Sequence, residues 1–228
     1  MRVGVFMLPL MASLPLTATG EVILVSQSRQ ISGIAAGVAR TSLSNDESGP
    51  WNQFTGWYAG NQFAAASVTL QSVISTSVIS GNDLASANGG RLGTSSNCEF
   101  HVTSNFYVDT PTFFDLTVDL IGVTNHLYSG TGVHYFRLSS TDRSTVFYEV
   151  GSLNSSGGEG EGHHADHITG VFTPGYYTLV SEGYAAGFAT GGSRYNGSQQ
   201  SNFVLIVPAP TTLAAFLPLL TFAGRRRR

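Results

Sequence analysis

The densest run of potential ligands is Gly157 to His167, which reads Gly-Gly-Glu-Gly-Glu-Gly-His-His-Ala-Asp-His. His163, His164 and His167, together with Glu159, Glu161 and Asp166, could supply the nitrogen and oxygen donors that Zn or Ca takes. The H-E-x-x-H pattern of a metalloprotease is absent, as is the D-x-[DN]-x-[DN]-G loop of a calcium hand. Four glycines in the run argue against a helix, so the spacing of His163 and His167 does not place them on one helical face. A polar, solvent-exposed loop between two strands accounts for the same residues with no cofactor, and that is the expectation.

A second cluster gathers both tryptophans of the chain: Trp51, Phe54, Trp57, Tyr58 and Phe63, interleaved with Asn52, Gln53, Asn61 and Gln62. Rings beside amide donors and acceptors suit carbohydrate recognition, because a ring stacks on the apolar face of a pyranose while amides read its hydroxyls. Trp51, Trp57 and Tyr58 are the candidate carbohydrate-binding residues. The competing expectation is that these rings close one end of a core.

Other chemistries find less support. Asp115 and Asp119 flank Thr117 on one predicted strand face, as two carboxylates of a glycosidase would, but a solvated face is the better explanation, because general acid work needs one carboxyl in an apolar pocket and the sequence indicates none. No G-x-S-x-G is present, and no Gly-rich run is followed by Lys, so neither a nucleophile elbow nor a phosphate loop is indicated. The lone Cys98 alternates with Phe100 and Val102 and reads as a small buried residue. No catalytic residue emerges, and the expectation is a protein that is not an enzyme.

The elements that must position these residues follow from composition. Charged residues are 11% of the 228, Gly numbers 27, and Lys is absent. Solubility therefore comes from neutral polar groups, which suits short strands and many turns. Between the two ends, six Arg face fourteen carboxylates, and an acidic body has no electrostatic footprint for nucleic acid. Strands are predicted near residues 21–25, 63–70, 73–79, 98–108, 113–121, 133–138, 145–150, 167–172, 176–181 and 202–207. Most alternate apolar and polar residues, as in Phe114, Leu116, Val118 and Leu120 against Asp115, Thr117 and Asp119. Thr173-Pro174-Gly175 predicts a hairpin-like turn, since Pro presets its first dihedral and Gly accepts the next. The fold class expected is all-β, an antiparallel β-sandwich or jelly roll.

The ends read differently. Arg2, the apolar run Val3 to Leu16 and the small residues up to Gly20 have the order of a signal peptide, residues 1–20. At the other end come Val207, Pro208, Ala209 and Pro210, an apolar stretch, and Arg225, Arg226, Arg227 and Arg228. As a helix, 211–224 would span only about 21 Å, short of a bilayer core, although terminal arginines can hold such a segment transiently at the membrane. The chain thus divides into 1–20, a β-sandwich over 21–206, and the tail 207–228.

This tail resembles the PEP-CTERM sorting signal, with Val207-Pro208-Ala209-Pro210 as a variant of its Val-Pro-Glu-Pro motif. The likeness covers about the last 22 residues. It implies export, recognition by an exosortase, which is a membrane transpeptidase-like protease, and cleavage near Pro208 to Pro210 at the surface of a Gram-negative-type bacterium. The body is similar to planctomycete-type members at Gly49-Pro50-Trp51, the Ser/Val strand pair at 67–80, Phe113 to Leu120, and Phe172 to Leu179. What is implied is an exported, noncatalytic surface or matrix protein associated with envelope or extracellular polysaccharide, or else a lectin-like module.

Overall fold

The computed structural model describes residues 22–35, 41–59, 64–90, 94–124, 132–151, 160–190 and 193–207. The signal-peptide reading and all of the sorting signal except Val207 lie outside the described residues. Within them the chain forms twelve strands: β1 (Val22–Ala35), β2 (Thr41–Asn45), β3 (Gly49–Ala59), β4 (Ala64–Ile74), β5 (Val78–Asn88), β6 (Ser95–Val108), β7 (Thr112–Thr124), β8 (Gly132–Ser140), β9 (Val146–Val150), β10 (Gly160–Phe172), β11 (Gly175–Thr190) and β12 (Ser193–Ile206). Among the described residues there is no helix, and so none long and apolar enough to cross a membrane.

The strands form two antiparallel sheets of a β-sandwich. Sheet A runs β2-β1-β6-β11-β8-β9. Sheet B runs β3-β4-β5-β12-β7-β10. They join where the end of β11 pairs the start of β12, from Phe188↔Tyr195 to Thr190↔Ser193.

Alternation does the sorting. On β6, Cys98, Phe100, Val102, Phe106 and Val108 turn inward and are buried, while the odd-numbered residues between them face out. On β4 the inward set is Ala64, Ala66, Val68, Leu70 and Ile74. Burying each Val, Leu or Phe of such a set contributes roughly 1.5–3 kcal/mol. One end of the core is aromatic: Phe172 stacks on Phe114 at 4.4 Å between centroids and meets Tyr177 at 4.5 Å and Phe147 edge-on at 5.2 Å.

Three local expectations are corrected. The break predicted near residues 71–72 falls instead at Ser75 to Ser77, because the Ser75 hydroxyl accepts from the Val78 amide and the Ser75 amide donates to the Val78 carbonyl. Thr173-Pro174-Gly175 does not close a hairpin: it carries the chain from β10 in sheet B to β11 in sheet A. β2 and β3, where no strand was expected, extend the edges of the two sheets.

The four outer edges are blunted by different means. β2 and β9 have only five residues each. β3 carries Pro50, which has no amide to offer, and β10 turns His164 and Asp166 toward the interior side.

Candidate functional site

The His-rich segment is a strand and not a loop. β10 pairs β7 without interruption from Gly160↔Thr124 to Phe172↔Thr112, so neighbour pairing overrides the weak strand preference of its glycines. Alternation then separates the three histidines. His163 and His167 face outward, where His163 Nε2 lies 2.7 Å from Asp119 Oδ1 and His167 Nε2 lies 3.0 Å from Asp115 Oδ1. His164 is on the opposite face and pairs Asp166 at 3.1 Å. Four residues of strand put the two outward pairs about 13 Å apart, too far to share an ion. Among the described residues no group of three His, Cys, Asp or Glu side chains is placed to hold a metal.

The same rise separates the backbones at Asp115 and Asp119 by about 13 Å, beyond the carboxylate spacing of roughly 5–9.5 Å in glycosidases. Each is engaged by its own histidine. Cys98 is fully buried, its thiol directed at the carbonyls of Ser67 and Ser86, and burial pushes its pKa up to about 12.

The aromatic cluster is split by β3. Trp57 is only 5% exposed, and its Nε1–H donates to the Thr41 hydroxyl at 2.5 Å. Trp51 is half-buried on the same inward side, with the Arg29 guanidinium 5.6 Å from its ring centroid. Neither tryptophan can serve as an open stacking platform beside Tyr58, which points outward with Phe54; these two are 62% and 69% exposed.

That outward side leads to the site. Across the outer face of sheet B, register aligns Asn52 of β3 with Gln71 of β4, Gln71 with Asn82 of β5, Asn82 with Asn202 of β12, and Asn202 with Asp119 of β7. Five polar side chains thus stand in one row at strand spacing, about 4.8 Å apart. His163 extends it by binding Asp119 from β10. A cleft of about 340 Å³ opens at its centre, lined by Gln71, Ser80, Asn82, Thr117, Asp119 and Asn202 among others.

The flanks are mixed. One side carries Val73, Ser80, Val204 and Thr117 in register; the other carries Phe54, Thr69, Leu84 and Gln200. Amides offer both donors and acceptors, and the carboxylate of Asp119 is a strong acceptor. Among the described side chains no Arg stands on this face, and its charged groups are Asp115 and Asp119 with their histidines.

Sequence reasoning found Asn52, Tyr58, Asp119 and His163 as members of other groupings, and missed Gln71, Asn82 and Asn202. In one dimension those amides look like turn residues. Only their shared outward parity, at the even positions of β5 and β12 and the odd ones of β4, hints at a common row.

No family model matches the chain, and no curated protein does. Among solved structures, the chain is similar to the enzymatically active domain of tailspike protein 4 from bacteriophage CBA120, with TM-score 0.26 and 13% identity over 63% of this chain and 19% of that one. The infectious bursal disease virus VP2 subviral particle gives 0.29 and 8% over 87% and 60%. An α-L-arabinofuranosidase gives 0.23 and 10% over 76% and 27%. The chain spans less than two thirds of each of these proteins, and each TM-score is too low to define a shared fold.

Proposed function

We propose that this chain is an exported, noncatalytic surface or matrix protein that holds extracellular polysaccharide on the outer face of sheet B. The observation that carries the reading is the row Asn52, Gln71, Asn82, Asn202 and Asp119, five hydrogen-bonding side chains in register on a rigid sheet with an exposed ring, Phe54, beside it. Such a row matches the repeating hydroxyls of an extended glycan, and the sheet holds it in place before the ligand arrives, which lowers the entropy cost of binding. The lectin-like alternative and the matrix reading converge on this face.

The sandwich is a jelly roll in this reading. Supporting that are the strand orders β5-β12-β7-β10 and β6-β11-β8-β9, with most connections passing between the sheets and β1–β4 widening them. Export and sorting are supported by the order of parts in residues 1–20 and 207–228, with the exosortase as processing partner and a transient membrane contact through the apolar tail.

The test of the binding reading is affinity electrophoresis of the purified protein through gels containing neutral polysaccharides, beside an Asn82→Ala/Asn202→Ala variant. Each lost hydrogen bond costs about 1 kcal/mol, so the double variant binds about thirtyfold more weakly with an unchanged melting temperature. Equal retardation of both proteins would remove this face as the site.

A further inference from the structure

We infer that the protein carries a second saccharide pocket on the outer face of sheet A, and so bridges two polysaccharide chains. This rests on the glycan reading of sheet B. A cleft of about 330 Å³ on sheet A is lined by Gln30, Glu99, His101, Tyr135, Glu182 and Tyr184 over the backbone of Phe100 and Gly183. Register again makes a row: Gln30 of β1 opposes His101 of β6, His101 opposes Glu182 of β11, and Glu182 opposes Tyr135 of β8. Glu99 and Tyr184 oppose one another in the adjacent row.

The polar groups are held in place. His101 Nδ1 lies 2.9 Å from Glu182 Oε1 and its Nε2 lies 2.6 Å from the Thr103 hydroxyl. The Ser32 hydroxyl donates to Glu99 at 2.6 Å, and the Tyr135 hydroxyl donates to Glu149 at 2.9 Å. Two tyrosine rings beside an amide, an imidazole and two carboxylates form the mixed lining that sugar recognition uses: rings for the apolar face, fixed acceptors and donors for hydroxyls. Among the described residues no Arg lines the cleft, and the ligand class proposed for it is the same as on sheet B, a neutral saccharide.

The two sites lie on opposite faces of the sandwich, whose sheets stack about 10 Å apart before the outward side chains are added. One straight polymer segment cannot lie on both faces at once. Occupying both therefore joins two segments, and a binder becomes a cross-linker.

The experiment uses the full chain with two soluble neutral polymers, hydroxyethylcellulose and galactomannan, and reads gel retention and low-shear viscosity together. The wild type is expected to be retained by at least one polymer and to raise its viscosity, with a maximum as protein concentration increases. Gln30→Ala/Tyr184→Ala on sheet A and Asn82→Ala/Asn202→Ala on sheet B should each weaken retention without abolishing it and lose the viscosity rise; combining them should abolish retention. Glu99→Gln, nearly isosteric, guards against a folding defect and should also weaken the viscosity rise. If the sheet B variant alone abolishes retention, or the sheet A variants leave the viscosity unchanged, the second pocket is not a site while the glycan reading stands. If the wild type is retained by neither polymer, both fall.

Discussion

The indole of Trp57 lies across Gly33 from the opposing sheet so closely that a Cβ on Gly33 would fall 2.5 Å from its Cζ3. The ring cannot retreat, because it is buried and its N–H is committed to Thr41. Gly33→Ala is therefore expected to destabilise the protein by about 1–3 kcal/mol through overpacking. A smaller ring should restore part of the loss, so Gly33→Ala/Trp57→Phe should be more stable than Gly33→Ala alone in chemical denaturation. Additive losses in the double variant would show that the two residues do not compete for the same space.

Arg29 is buried to 1% exposure, yet its guanidinium is well supplied with acceptors. It donates to the Gly49 carbonyl at 2.8 Å, to the Asn45 side chain and the Glu47 carbonyl, and more weakly to the Ser72 hydroxyl at 3.4 Å. The side chain thus ties β1 to the connection between β2 and β3, where Gly49 takes a φ of +93°. Arg29→Met keeps the volume but leaves those acceptors unpaired, at about 1–3 kcal/mol for each that stays buried. The expected result is a loss of about 3 kcal/mol in urea unfolding and faster proteolytic cleavage at residues 45–49. A variant as resistant as the wild type would show that the connection holds itself.

How much of this was legible depends on what each strand faces. β7 was readable because Phe114, Leu116, Val118 and Leu120 sit in a clean period of two and are all buried. β3 was not, because its inward set mixes Trp51, Gln53, Thr55 and Trp57, and its outward set includes Phe54 and Tyr58, so no alternation of polarity survives. β10 was half legible: His167 to Phe172 has strand character, whereas Gly160 to Asp166 acquires it only by pairing with β7. The site was legible least. Asn82 and Asn202 are 120 positions apart in sequence and meet only through register, which is a property of the assembled sheet and not of either segment.

The buried position of Cys98 has a direct chemical consequence. With its pKa pushed up to about 12 by desolvation, almost no thiolate exists at pH 8, and the residue is buried in the folded protein. The folded protein should react with iodoacetamide or a disulfide reagent at a rate set by global unfolding. In denaturant one thiol per chain should react at the ordinary rate. Rapid labelling of the native protein, measured by mass spectrometry, would place Cys98 outside the core.

Asp83 presents the opposite problem to Arg29, a buried acid with little support. It is fully buried and, among the described residues, accepts only a 3.3 Å hydrogen bond from the Gln71 amide and leaves its second oxygen without a partner. Desolvation raises its pKa well above the usual carboxylate range, and the Gln71 amide opposes this only in part. Below about pH 4 the group is protonated in both folded and unfolded chains and contributes no pH dependence. As pH rises past that point the unfolded chain ionises first, and stability falls by up to about 1.4 kcal/mol per pH unit until the folded-state pKa is reached. Asp83→Asn remains neutral throughout, so its stability relative to wild type should increase between pH 4 and pH 7 in urea titrations. Every other carboxylate is common to the two proteins and cancels in that difference. Parallel stability curves would mean that Asp83 is ionised in the folded protein, with a cation or water supplying the partner its second oxygen lacks.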